Sequence, residues 1–113
     1  MHEMSLCESI LHTLEQQAQP NGYCQVTAVW LEIGALAGVE IDAMRFCFDA
    51  VMQGSLAENA RLEIIAVPGQ AWCANCNQTV SVAQRYDDCP QFGYYPVQIT
   101  DGDQMRIKQL EVA

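Results

Sequence analysis

Pro68-Gly69-Gln70-Ala71-Trp72-Cys73-Ala74-Asn75-Cys76 divides the chain into a packed region and a cysteine-rich one. Pro-Gly breaks regular structure, and the pair of cysteines that follows, two residues apart, suits one tight turn delivering two sulfurs to a single ion. The next cysteine, Cys89, comes after twelve further residues and opens Cys89-Pro90-Gln91-Phe92-Gly93. A second turn of the same kind would place its other ligand at position 92, which is Phe92 and cannot ligate.

Working outward, Leu62 to Val67 reads as a short strand ahead of the break, and Met105 to Val112 alternates as a terminal strand. The alternation slips near Lys108-Gln109-Leu110, the mark of a bulge. Upstream, Ser5 and Glu8 have capping-box spacing, and Leu6, Ile10, Leu14 and Ala18 recur every four residues until Pro20-Asn21-Gly22, which predicts a first amphipathic helix. Thr27, Val29, Leu31 and Ile33 alternate with Val26, Ala28, Trp30 and Glu32 up to Gly34, a strand with one buried and one mixed face. Ile41, Met44, Phe48, Val51 and Met52 form a second helical stripe closing at Gly54. The expected architecture is α+β: a small mixed sheet with two helices on one face, residues 1–69 and 97–113, into which residues 70–96 are inserted as a zinc-ribbon-like knuckle.

At 113 residues the chain fits one compact core with a small insertion. A net charge of −9, with five scattered Lys and Arg residues, repels phosphate backbones and anionic lipid, which argues against nucleic acid and membrane partners. No apolar run approaches the ~18 residues of a spanning helix, and the amino-terminal residues lack the basic and apolar regions of an export signal. A cytoplasmic protein is expected. In that compartment the six cysteines point to metal or redox chemistry before disulfides.

Three thiolates, Cys73, Cys76 and Cys89, can hold Zn(II), with water or a carboxylate of Asp87 or Asp88 as fourth ligand. The alternative is that they bind no metal and the aromatics hold the loop. A redox reading also starts from Trp72-Cys73-Ala74-Asn75-Cys76, but a thioredoxin-like pair needs a helix amino terminus to lower its thiol pKa, and here the pair precedes Asn77-Gln78 and an alternating Val80-Ser81-Val82. With two histidines, no nucleophile–base pairing and no glycine-rich phosphate loop, the sequence offers no catalytic constellation.

Met1-His2 can chelate. A bulky second residue should preserve Met1, whose amine, with the His2 amide nitrogen and imidazole, closes adjacent small rings around one ion, and the Glu3 amide completes a plane. Square-planar nitrogen coordination suits divalent nickel or copper. Taken alone, a histidine at position 2 more often belongs to a frayed terminus. His12 reads as a solvated residue of the first helix, and Cys7, Cys24 and Cys47 read as small apolar fillers.

Met1-His2-Glu3, Val29-Trp30-Leu31-Glu32-Ile33-Gly34-Ala35, Arg45-Phe46-Cys47-Phe48-Asp49, the Cys-x-x-Cys knuckle and Ile107-Lys108-Gln109-Leu110-Glu111-Val112 together resemble the HypA/HybF nickel-incorporation family, in the family's order over essentially the whole chain. The resemblance implies a nickel site at Met1, His2 and Glu3, with His2 the main side-chain ligand and Glu40 matching an acidic residue that approaches it. It implies a structural zinc on four cysteines, of which Cys73, Cys76 and Cys89 match and Phe92 departs. It further implies a metallochaperone that carries Ni(II) as cargo and passes it to the large subunit of nickel-iron hydrogenase, in partnership with a hydrogenase-maturation GTPase. Self-association into a homodimer is left open. A variant that docks partners or regulates maturation without carrying nickel is the alternative.

Overall fold

The computed structural model describes residues 2–84, 87–90 and 97–113. Its elements, in order, are α1 (His2–Asn21), β1 (Val26–Gly34), α2 (Ile41–Met52), β2 (Arg61–Val67), β3 (Gly69–Cys73), β4 (Gln78–Val82), β5 (Gln98–Asp101) and β6 (Met105–Val112). Two three-stranded sheets form, ordered β2-β1-β6 and β4-β3-β5. The chain divides into two compact units, one of Met1–Leu31, Val39–Ile64 and Ile107–Ala113, the other of Glu32–Gly38 and Ile65–Arg106.

In the first unit α1 buries Cys7, Ile10 and Leu14 and α2 buries Met44, Cys47, Phe48 and Met52, so each amphipathic stripe faces the core as its period predicts. The helices meet where the Cys7 thiol lies 3.7 Å from both the Met44 carbonyl oxygen and the Met44 Sδ. β1 alternates around Val26, Ala28, Val29 and Leu31, all fully buried. On its half-buried side Trp30 carries the Arg61 guanidinium 5.5 Å from its ring centroid.

Two details of the first helix depart from the sequence pattern. It begins at His2, so Ser5 lies inside it as an exposed residue and does not cap it; the spacing of Ser5 and Glu8 is also the spacing of neighbours on one helix face. Glu3 in the first turn suits the positive end of the helix dipole. The helix then runs through Pro20 to Asn21 and closes when Gly22, at φ 70°, lets its own N–H reach the Gln19 carbonyl and the Tyr23 N–H reach the Ala18 carbonyl, the paired bonds of a Schellman motif. The Tyr23 hydroxyl donates back to the Leu14 carbonyl at 2.7 Å.

β6 pairs with β1. The Gly34 N–H donates to Gln104 O and the Ala113 N–H to Gln25 O, bonds that enclose equal lengths of both strands, so the phase slip at Lys108-Gln109-Leu110 inserts no net residue. Lys108 and Gln109 are simply both exposed. Cys24, expected near the core, is exposed beside the carboxyl-terminal residue, its N–H donating to Ala113 O.

The second unit packs Leu36, Ala71, Cys73, Val80, Val82 and Cys89 into one core. β3 is its central strand, antiparallel to β4 from Gly69↔Val82 to Cys73↔Gln78 and to β5 with a register shift between Gln70 and Ala71. Three glycines allow the backbone crossings at its edge. A Cβ on Gly34 would overlap the Gly102 carbonyl, one on Gly69 would meet Val82 O and the Leu36 side chain, and one on Gly102, at φ +82°, would overlap Pro68 O. Gly102→Ala should therefore cost about 2–4 kcal/mol, combining left-handed strain with backbone displacement, whereas Gly38→Ala, at φ +73° with open space around it, should cost about 1–2 kcal/mol. Denaturant unfolding of the two variants checks the ordering.

Candidate metal centres

Cys73 ends β3, and the four residues Ala74 to Asn77 turn the chain into β4. The Asn77 N–H donates to Cys73 O at 2.8 Å with Asn77 at φ 56°, a left-handed position that asparagine tolerates. This turn brings Cys76 over Cys73, sulfur to sulfur 3.4 Å, and Cys89 lies 3.4 Å from Cys76. All three sulfurs lie within 4.8 Å of one another. Sulfurs sharing a tetrahedral ion at about 2.3 Å stand about 3.8 Å apart, so the cluster has the size of a metal site. Cys73 and Cys89 are buried and Cys76 is half-buried.

Desolvation within the cluster, then the hydrogen bonds with Cys73 and Cys89, push the Cys76 thiol up to about 12. Three thiols this close resist ionising together unless a cation compensates them, and metal binding is the reaction that removes their protons. The same shift opposes the oxidoreductase reading: an attacking cysteine needs a lowered pKa at a helix amino terminus, and this pair occupies a hairpin turn. Asp87, considered above as a fourth ligand, is otherwise engaged. Its Oδ2 accepts from the Ala83 and Gln84 N–H groups, each at 2.9 Å, closing the turn after β4. Asp88 is exposed, and among the described residues no carboxylate or imidazole joins the three sulfurs. Phe92 lies outside the described residues.

The second constellation is at the start of α1. His2 is exposed, with its Nδ1 3.6 Å from Glu3 Oε2. The same Glu3 oxygen accepts the Glu40 backbone N–H at 3.1 Å, so the residue ahead of α2 is held against the first turn of α1. The Glu40 carboxylate accepts the Asp42 N–H through Oε1 at 3.1 Å and caps α2. Glu3 thus links two distant parts of the sequence, touching its neighbour His2 and the Glu40 backbone N–H, while Met1 lies outside the described residues. The hydrogen bond from Glu40, then that from its own backbone N–H, hold the Glu3 carboxyl below the usual glutamate value, with His2 adding to the effect and desolvation opposing it. Because the folded pKa is the lower one, this clasp contributes above the ordinary glutamate pKa and is lost as pH falls through the folded value.

The three cysteines expected from their spacing come together. Glu40, which the family resemblance sets near the amino terminus, reaches it through its backbone N–H on Glu3, a contact that spacing does not encode.

The fold and the thiol cluster define a small α+β metal-binding protein. Residues 1–112 match the family described as hydrogenase/urease nickel incorporation, metallochaperone, hypA. The hydrogenase maturation factor HypA of Azotobacter chroococcum mcd 1 is 58% identical over 112 residues, covering 99% of both chains. That of Acidithiobacillus ferrooxidans (strain ATCC 53993 / BNL-5-31) is 56% identical over 112 residues, again covering 99% of both. The solution structure of the Ni metallochaperone HypA from Helicobacter pylori has a TM-score of 0.72 at 25% identity, covering 97% of this chain and 96% of that one. A solution structure of HypA protein gives 0.73 at 26% identity, covering 100% and 97%. The chain belongs to the HypA family of nickel metallochaperones for hydrogenase maturation.

The clasp yields a direct prediction. The chemical shift of the Glu40 amide proton should report the Glu3 titration, with a midpoint below that of an ordinary glutamate, and lose that transition in Glu3→Gln, as followed by NMR against pH. An unshifted midpoint would remove the clasp.

Proposed function

We propose that this chain carries Ni(II) on Met1, His2 and Glu3 and delivers it for assembly of nickel-iron hydrogenase. The observation that carries the reading is that Glu3 Oε2 lies beside the exposed His2 imidazole and accepts the Glu40 backbone N–H, which ties the first turn of α1 to the start of α2. The ion is cargo. The Met1 amine, the His2 amide and imidazole nitrogens and the Glu3 amide supply four nitrogens of the kind that planar nickel prefers. Starting α1 at His2 suits this, because the first N–H groups of a helix are not spent on its own ladder. The Glu3 carboxylate, with Oε2 3.6 Å from His2 Nδ1, supplies negative charge close to these nitrogens. Such a site holds nickel firmly yet stays accessible, since His2 is exposed; an acceptor can attack from the open faces and exchange ligands one at a time.

Zn(II) suits the second unit. Cys73, Cys76 and Cys89 would hold it, and the ion would tie the β3–β4 turn to the segment around Cys89, a structural role. The work of this chain is then transfer rather than catalysis, and nucleotide hydrolysis belongs to a GTPase partner. The recipient is the hydrogenase large subunit. A cytoplasmic location fits; among the described residues no helix is long and apolar enough to cross a membrane.

Calorimetric titration of Ni(II) into the untagged, zinc-loaded protein tests the reading. One site should appear, and it should be lost in His2→Ala and in a variant extended by a residue before Met1. Affinity should fall as pH is lowered from neutral to mildly acid, because protons compete for the ligand nitrogens. Nickel binding indifferent to both variants would leave the docking or regulatory role in its place.

A further inference from the structure

Residues 32–38 and 65–106 include Cys73, Cys76 and Cys89 and no other cysteine, and no histidine. Their carboxylates are Glu32, Asp87, Asp88, Asp101 and Asp103, all among the described residues, and none joins the three sulfurs. Glu32 is paired with Arg106 at 3.2 Å and Asp87 with two backbone N–H groups. The residues left undescribed, 85, 86 and 91–96, hold no cysteine, histidine, aspartate or glutamate. Their tyrosines would have to lose a proton of pKa about 10 to serve as anionic ligands.

A tetrahedral ion on three thiolates therefore has one position that no further cysteine, histidine or carboxylate of the unit fills. Charge selects what enters it. Zn(II) with three thiolates already carries one net negative charge, and a fourth thiolate would make it two. The surroundings are apolar, with Leu36, Ala71, Val80 and Val82 buried around the cysteines and Val97 and Ile99 packed against them. Such surroundings penalise each added charge. Against its five carboxylates the unit has two basic side chains, Arg106, already paired with Glu32, and Arg85, which lies outside the described residues. A neutral donor adds no charge; water takes such an open position by default, and imidazole, which zinc accepts in closed three-cysteine sites, is the neutral donor able to displace it. Cys76 keeps part of its surface exposed, so the cluster is not sealed.

We infer that Cys73, Cys76 and Cys89 form an open three-thiolate metal site whose fourth position accepts an imidazole from outside the chain, in preference to a thiolate. The donor chemistry is shared by a free imidazole compound and by a histidine side chain presented by another protein. In either case the metal of the second unit becomes a point of attachment, a role that a site closed by four ligands of the chain does not allow. The inference rests on the zinc reading above.

Cobalt(II) substituted for zinc reports the donor set by absorption. The host is the full chain carrying His2→Ala, so that the amino terminus does not contribute, and the probes are imidazole, a blocked histidine peptide and β-mercaptoethanol. The thiolate charge-transfer bands should show three sulfur ligands. The ligand-field bands should shift and saturate with one imidazole per cobalt, respond more weakly to the thiol, and stay unchanged in Asp88→Asn. A response to imidazole and to the peptide supports a protein histidine as donor; a response to imidazole alone supports a small-molecule donor. Bands that ignore imidazole, that favour the thiol, or that change in Asp88→Asn overturn the open imidazole site while leaving the zinc reading intact. Failure of cobalt and zinc to bind the three cysteines overturns both.

Discussion

Backbone crossing backbone at Gly34, Gly69 and Gly102 is the constraint on which the second unit depends. The Gly34 N–H bonds Gln104 O, the Ala35 N–H bonds Val67 O and the Leu36 N–H bonds Gly102 O, so the ends of β1 and β2 and the link from β5 to β6 are held together by main-chain groups. No side chain fits between them. Leu36 is carried by this crossing into the core that also buries Cys73 and Cys89. The cysteine hairpin is therefore seated on a hydrogen-bonded frame and is not left to the metal alone, and Cys73, at the end of β3, inherits its position from a strand bonded on both sides.

The first unit solves a different problem with helix ends. α1 and α2 meet along their buried stripes, with the first turn of α1 and the cap of α2 side by side. A carboxylate serves each end. Glu3 satisfies the orphan N–H of Glu40, and Glu40 satisfies that of Asp42, as helix starts require. The Glu3 carboxylate also lies 3.6 Å from the exposed His2 imidazole. Packing sets this neighbourhood, and metal chemistry can make use of it.

Much of this was legible before any coordinates. The stripes of α1 and α2 and the alternation of β1 follow from periods that burial imposes, and Cys73, Cys76 and Cys89 announce themselves by spacing. Other features resist such reading. β3 and β5 are short, and β5 is largely exposed, so neither produces a strong pattern; they are strands because each finds a partner. The start of α1 was misplaced because Ser5 and Glu8 fit a cap and a helix interior equally well. Cys24 looks like Cys7 and Cys47 in sequence but lies at the exposed meeting of β1 and the chain end. The engagement of Asp87 by Ala83 and Gln84, and of Glu40 by Glu3, depends on loop and tertiary geometry that no local period encodes.

The most direct test of nickel carriage is an NMR titration of the isotopically labelled, zinc-loaded protein with one equivalent of Ni(II). Planar nitrogen coordination makes the ion diamagnetic, so the account predicts sharp shifts confined to the first turn of α1 and the residues around Glu40, with the signals around Cys73, Cys76 and Cys89 unmoved. Broadening of the cysteine hairpin with an unperturbed His2 and Glu3 would contradict it.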